Sequence, residues 1–159
     1  MGKILIVNTG PVKSGRELNP DAVAQAVAER LLEYKVSAVY VCPVPGADEM
    51  ANIIAGRFGL QAQTLPGLGD ATAAALDDIA VKHKKETAVI VSQAALSVTM
   101  VLHMLHLDKK HYDQIAQYPG AVNLFEVRFG VPSALYINDT CHLKNIKTYG
   151  RTFRCARKK

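Results

Sequence analysis

The chain lacks the features that would place it in a membrane or around a cysteine-bound metal. No apolar run reaches the roughly 18 residues of a spanning helix. No basic stretch followed by a long apolar one opens it, so no signal peptide is expected. Its cysteines, Cys42, Cys141 and Cys155, are odd in number and show no metal-type spacing. Reduced thiols and a cytoplasmic location are the expectation. Internal repeats, linkers and low-complexity segments are also missing. Residues 144–159 contain no acid and seven basic residues, Lys144, Lys147, Arg151, Arg154, Arg157, Lys158 and Lys159. The remaining body holds 12 basic and 14 acidic residues, so the net charge of +5 belongs to a tail. A basic tail can contact nucleic acid, an anionic membrane or an acidic partner, or simply solubilise the chain end.

What is present is one domain's worth of alternating strand and helix patterns. The 159 residues are 49% hydrophobic and 21% charged, a soluble globular composition. Residues 3–7 form a β-branched run suited to a strand buried on both faces. Asn19, Pro20 and Asp21 suit a helix start, with Val23, Val27, Leu31 and Tyr34 on one face. Residues 38–41 read as a second strand. A helix then carries Met50, Ile53, Ile54 and Phe58 and stops at Gly59. Residues 61–65 suggest a third strand, and Asp70 opens a helix with Leu76, Ile79 and Ala80 inward. Residues 87–91 are a strand, 95–107 a buried helix and 108–116 a short polar helix. Residues 121–129 and 133–137 flank Gly130 as an edge hairpin. This order predicts an α/β three-layer sandwich with a mostly parallel central sheet. The turns starting at Asn8, Cys42 and Ser92 would meet at one rim, where such sheets bind ligands.

The strand ends carry a resemblance. Residues 3–7 run into Asn8-Thr9-Gly10, residues 87–91 into Ser92-Gln93-Ala94, and the body closes on Asn138-Asp139-Thr140-Cys141-His142-Leu143. With Leu18–Ala26 and Cys42–Ala51, these segments resemble, in order and spacing, the histidine phosphatase (phosphoglycerate mutase-like) superfamily over residues 1–143. The resemblance implies a phosphoglycerate mutase-like fold and phosphomonoesterase or phosphomutase chemistry. In that family the two strands end in Arg-His-Gly and Ser-His-Gly. The first histidine accepts the phosphoryl group, while arginines and the second histidine surround it. Here Asn8 and Thr9 stand for the first arginine and the nucleophile, Gly46 for a second arginine and Gln93 for the second histidine. Asp70 is the nearest match to the leaving-group acid.

Phosphoryl transfer needs an activated nucleophile and positive charge around the transferring oxygens. A threonine hydroxyl needs a base beside it, and Gln93 donates hydrogen bonds without charge. The expectation is a domain, 1–143, that has lost catalysis and acts as a ligand-binding or regulatory module, followed by a basic tail, 144–159. Its expected pocket comprises Asn8, Thr9, Gly10, Lys13, Arg16, Ser92 and Gln93, suited to a small anion or phosphorylated ligand or to a protein partner. No cofactor and no metal are expected. The alternative is a phosphatase or other hydrolase working by an atypical mechanism at the same strand ends. Cys42 lacks an arginine six residues on, where Asp48 stands, and reads as a structural thiol. Ser92 lacks Gly-x-Ser-x-Gly. His103 and His106 lie one helical turn apart without a third ligand nearby. His83 reads as a boundary residue of its helix, and His142 as a support of the fold.

Overall fold

A computed structural model describes residues 1–9, 20–66, 70–144, 146–148 and 151–152. The elements run β1 (Gly2–Asn8), α1 (Pro20–Leu31), β2 (Val36–Val41), α2 (Ala47–Arg57), β3 (Ala62–Thr64), α3 (Asp70–Lys82), β4 (Thr87–Ser92) and α4 (Ala94–Met104). A 3-10 turn at Lys109–Gln114 leads to the hairpin β5 (Val122–Arg128) and β6 (Val131–Asp139). A further 3-10 turn, Cys141–Leu143, precedes a small ribbon of β7 (Lys147–Thr148) and β8 (Arg151–Thr152). The main sheet has six strands in the order β3-β2-β4-β1-β5-β6. β1 to β4 pair in parallel, whereas β5 is antiparallel to β1 and β6 to β5. The predicted α/β sandwich is therefore observed, as a mixed sheet whose antiparallel part is the hairpin around Gly130.

Side-chain alternation along the strands makes two cores. Leu5, Val7, Val39, Val41, Val89 and Val91 face α1 and α2, where Val23, Val27, Leu31, Met50 and Ile54 meet them. Ile4, Ile6, Tyr40, Ala88 and Ile90 face the other way, onto Leu76 and Ile79 of α3 and Met100, Val101 and Met104 of α4. This double-sided burial is why β1 and β4 read as unbroken apolar runs. Helix α2 ends as its sequence predicts. Gly59 takes a left-handed φ of 66°, and the Leu60 N–H donates to the Ala55 carbonyl at 2.9 Å. That is the capping pattern glycine makes cheap. The capping residue Asn19 lies outside the described residues.

Several expectations shift. Helix α4 stops at Met104, three residues earlier than its apolar pattern suggests, because His106 turns left-handed with φ 54°. The polar segment after it is a 3-10 helix with no buried residue. His83 is buried, not a boundary residue. Its Nδ1 donates to Glu86 Oε2 at 2.7 Å, and its Nε2 shares a 2.8 Å hydrogen bond with Tyr40 Oη. The expectation of reduced thiols fails at Cys141, which is disulfide-bonded. Buried Leu143 and half-buried Ile146 pack on the α1/α2 core, so core packing continues past residue 143. Among the described residues no helix is long and apolar enough to cross a membrane.

Candidate functional site

The chain returns β4 to the gap between β2 and β1, and this placement makes a crevice. β1 leads to α1 on one face of the sheet, while its neighbour β4 leads to α4 on the other. Loops that part to opposite faces leave an opening at the carboxyl ends of the strands between them. Asn8 lies opposite Ser92 in the β1–β4 register, and the Thr9 N–H donates to the Ser92 carbonyl at 2.8 Å. The third expected loop joins them, since Gln93 Nε2 donates to the Pro45 carbonyl at 3.0 Å. Asn8, Thr9, Ser92, Gln93 and the 42–46 turn thus share one rim. Gly10, Lys13 and Arg16 lie outside the described residues, as does the Asp70 side chain.

The rim residues differ in what they offer. Asn8 is fully buried and its Nδ2 donates to the Tyr118 carbonyl at 2.9 Å. Its own carbonyl receives the Gly120 N–H at 2.7 Å. Ser92 is also fully buried, with its Oγ 2.7 Å from Ser97 Oγ on α4. These two side chains hold the strand ends to the neighbouring chain rather than facing outward. Thr9 and Gln93 are half-buried at the edge of the crevice. Gln93 precedes α4 with extended backbone and makes no side-chain cap, so the positive end of that helix faces the rim.

A support behind the rim comes from Gly120 and His142. Gly120 adopts a left-handed φ of 74°, and a Cβ there would fall 2.6 Å from Val23 Cγ1 and 2.9 Å from Leu143 Cδ1. Its carbonyl accepts from His142 Nε2 at 2.7 Å. His142 therefore braces the loop that holds Asn8, in line with its expected supporting role. A carbonyl can only accept, so Nε2 carries the proton and the buried Nδ1 has no hydrogen-bond partner among the described residues. Burial lowers the His142 pKa, with the Gly120 carbonyl opposing. The local sequence signal was Pro119-Gly120, a turn pair, but only packing shows what the turn holds.

The other candidates fall to structural roles. Cys42 is buried and burial pushes its thiol up to about 11, the reverse of an activated nucleophile. His103 Nε2 donates to Asp77 Oδ1 at 2.7 Å, joining α4 to α3. Among the described residues no group of three His, Cys, Asp or Glu side chains could hold a metal ion.

No protein-family model and no curated protein sequence matches the chain. Solved structures do. The Entamoeba histolytica phosphoserine phosphatase, determined with 3-phosphoglyceric acid, superposes with a TM-score of 0.76 at 18% identity, over 90% of this chain and 100% of that one. A histidine-to-alanine variant of it, holding phosphoserine, gives 0.74 at 19% identity over the same shares. Bacillus stearothermophilus YhfR gives 0.77 at 16% identity over 89% and 99%. These neighbours are histidine phosphatase (phosphoglycerate mutase-like) proteins, and the chain has their fold, as its strand ends implied.

Proposed function

We propose that this chain is a histidine-phosphatase-like protein that has lost catalysis and serves as a ligand-binding or regulatory module at the carboxyl ends of β1 and β4. The observation that carries the reading is the chemistry of that rim. Where the family resemblance implies an arginine, two histidines and a second arginine, the chain has Asn8, Thr9, Gln93 and Gly46. Asn8 and Ser92 are turned inward and hydrogen-bonded. None of the five histidines ends β1, β2 or β4. Neutral donors hold a phosphate, but they do not supply the charge that offsets a transferring phosphoryl group. In the proposed site Asn8 and Ser92 shape the crevice. Thr9 and Gln93, with Gly10, Lys13 and Arg16 of the following loop, contact a small anion or phosphorylated ligand. A cytoplasmic location and an acidic partner for residues 144–159 belong to the same proposal.

The second reading is an atypical phosphatase at the same rim. The phosphatase neighbours favour it, two of them determined with phosphorylated ligands. Hydrolysis of a broad phosphoester panel by highly purified protein separates the two, with Thr9→Ala and Gln93→Ala as controls. The expected outcome is no turnover above background, together with saturable phosphate or phosphoester binding that weakens several-fold in both variants. Turnover that disappears in either variant would establish the phosphatase instead.

A further inference from the structure

The opposite end of the sheet holds a second concavity. It lies where β1 begins, about 20 Å from the Asn8 rim along the seven-residue strand. A cavity of about 850 Å³ opens there between the C-terminal half of α3 and the tip of the β5–β6 hairpin. That is within the range of pockets that hold small organic molecules. Met1, Ala80, Val81, Val127 and Phe129 give it apolar walls. Lys84, Lys85 and Arg128 also line it. Arg128 is paired with Glu126 at 3.1 Å, and the one lining carboxylate, Asp77, is taken up by His103 at 2.7 Å. Lys84 and Lys85 have no ion-pair partner among the described residues, so the unspent charge of the cavity is positive.

The hairpin tip adds an independent observation. Phe129 and Gly130 form the two-residue turn between β5 and β6, with φ of 51° and 77°. Both positions ask for a left-handed backbone, which asparagine, aspartate and glycine supply without strain. Phe129 sits there fully exposed (106%), so the fold gains nothing visible from an aromatic ring at that place. Val81 is 73% exposed on the facing helix. Two exposed apolar side chains in the lining of one cavity, with Lys84 and Lys85 lining it as well, match a molecule that has an apolar body and one anionic head.

We propose that this cavity binds a long-chain carboxylate, with the chain between Phe129 and Val81 and the carboxylate on Lys84 and Lys85. The site is separate from the β1–β4 rim and does not depend on its function. Isothermal titration of the full chain with dodecanoate, below its micelle concentration, tests it. Dodecanoate should bind one-to-one, and dodecyltrimethylammonium, with the same chain and opposite charge, at least about tenfold more weakly. The Lys84→Glu/Lys85→Glu variant should lose about tenfold or more in dodecanoate affinity, since both lysines are exposed and their reversal leaves the core intact. Phe129→Asn suits the left-handed turn and should weaken binding several-fold without lowering the melting temperature. No saturable dodecanoate binding overturns the proposal. So does equal binding of the cationic amphiphile, or unchanged affinity in the charge-reversed variant. Association confined to anionic phospholipid vesicles, or self-association of the chain blocked by Phe129→Asn, would assign the surface to a membrane or to a second copy instead.

Discussion

His142 and Gly120 show how much of the rim rests on single residues behind it. Protonating His142 places a charge in a half-buried site whose Nδ1 has no acceptor among the described residues. Its folded pKa lies below the unfolded value, so the unfolded chain binds more protons between the two. The stabilisation from neutral His142 is fully present above the ordinary histidine value. It falls as pH drops below that value and levels off under the folded pKa. Thermal melts from pH 8 downward should show this loss beginning near about pH 6.5. His142→Gln keeps a donor for the Gly120 carbonyl and should flatten that part of the profile. Gly120→Ala is a harder test. It combines a left-handed φ with contacts under 3 Å to Val23 and Leu143. Overpacking of this kind costs about 1–3 kcal/mol, with about 1 kcal/mol more for the backbone, measurable by urea unfolding. If Gly120→Ala unfolds at the same urea concentration as the parent, the packing described behind Asn8 is wrong.

At the scale of elements, the strand ends are poorly shaped for the arginines that the family resemblance implies at Asn8 and Gly46. Gly46 precedes α2 with a φ of 81°, so Gly46→Arg forces a residue with a Cβ into a left-handed position. Asn8 is fully enclosed at the end of β1, so Asn8→Arg brings a charge into a space fitted to a neutral amide. The expected costs are about 1 kcal/mol for the first and about 3–5 kcal/mol for the second. A variant carrying both, with Thr9→His and Gln93→His, should unfold at markedly lower urea than the parent. A parent-like midpoint with phosphoenzyme formation would mean that the crevice accommodates these charged groups. The same element-level reasoning explains the outer hairpin. β6 is an edge strand, and Pro132 together with register shifts against β5 interrupts its free edge, features that discourage strand pairing with other chains.

Across the whole molecule, charge and thiol state stand apart from the fold. The body carries a small negative net charge and residues 144–159 carry all of the excess positive charge. Cys42 is free and buried, whereas Cys141 is disulfide-bonded. Thiol titration in denaturant without reductant should therefore give fewer than three thiols, against the three of the sequence after reduction. Three free thiols in protein purified without reductant would remove the disulfide and restore the reduced-thiol expectation. The two concavities sit at opposite ends of β1, so substitutions at Gln93 and at Lys84 should affect phosphate and dodecanoate binding independently.

The sequence by itself determined the order and type of the main elements, because β1 and β4 are apolar on both faces and α1 to α3 carry one apolar stripe each. It also determined that Thr9 and Gln93, uncharged side chains, follow β1 and β4, since residue identity along the chain needs no coordinates. Only the tertiary structure decided which polar groups remain for a ligand. Asn8 and Ser92 looked like rim donors in sequence, yet packing of the Tyr118–Ala121 loop and of Ser97 turns both inward. His83 looked half-exposed because its helix pattern is shared by many surface positions, and burial followed from Tyr40 on a strand 43 residues away. The cavity at the amino end of β1 has no linear signature at all. It arises because α3 and the β5–β6 tip, far apart in the chain, come to the same end of the sheet, and proximity of that kind is a property of the fold rather than of any segment.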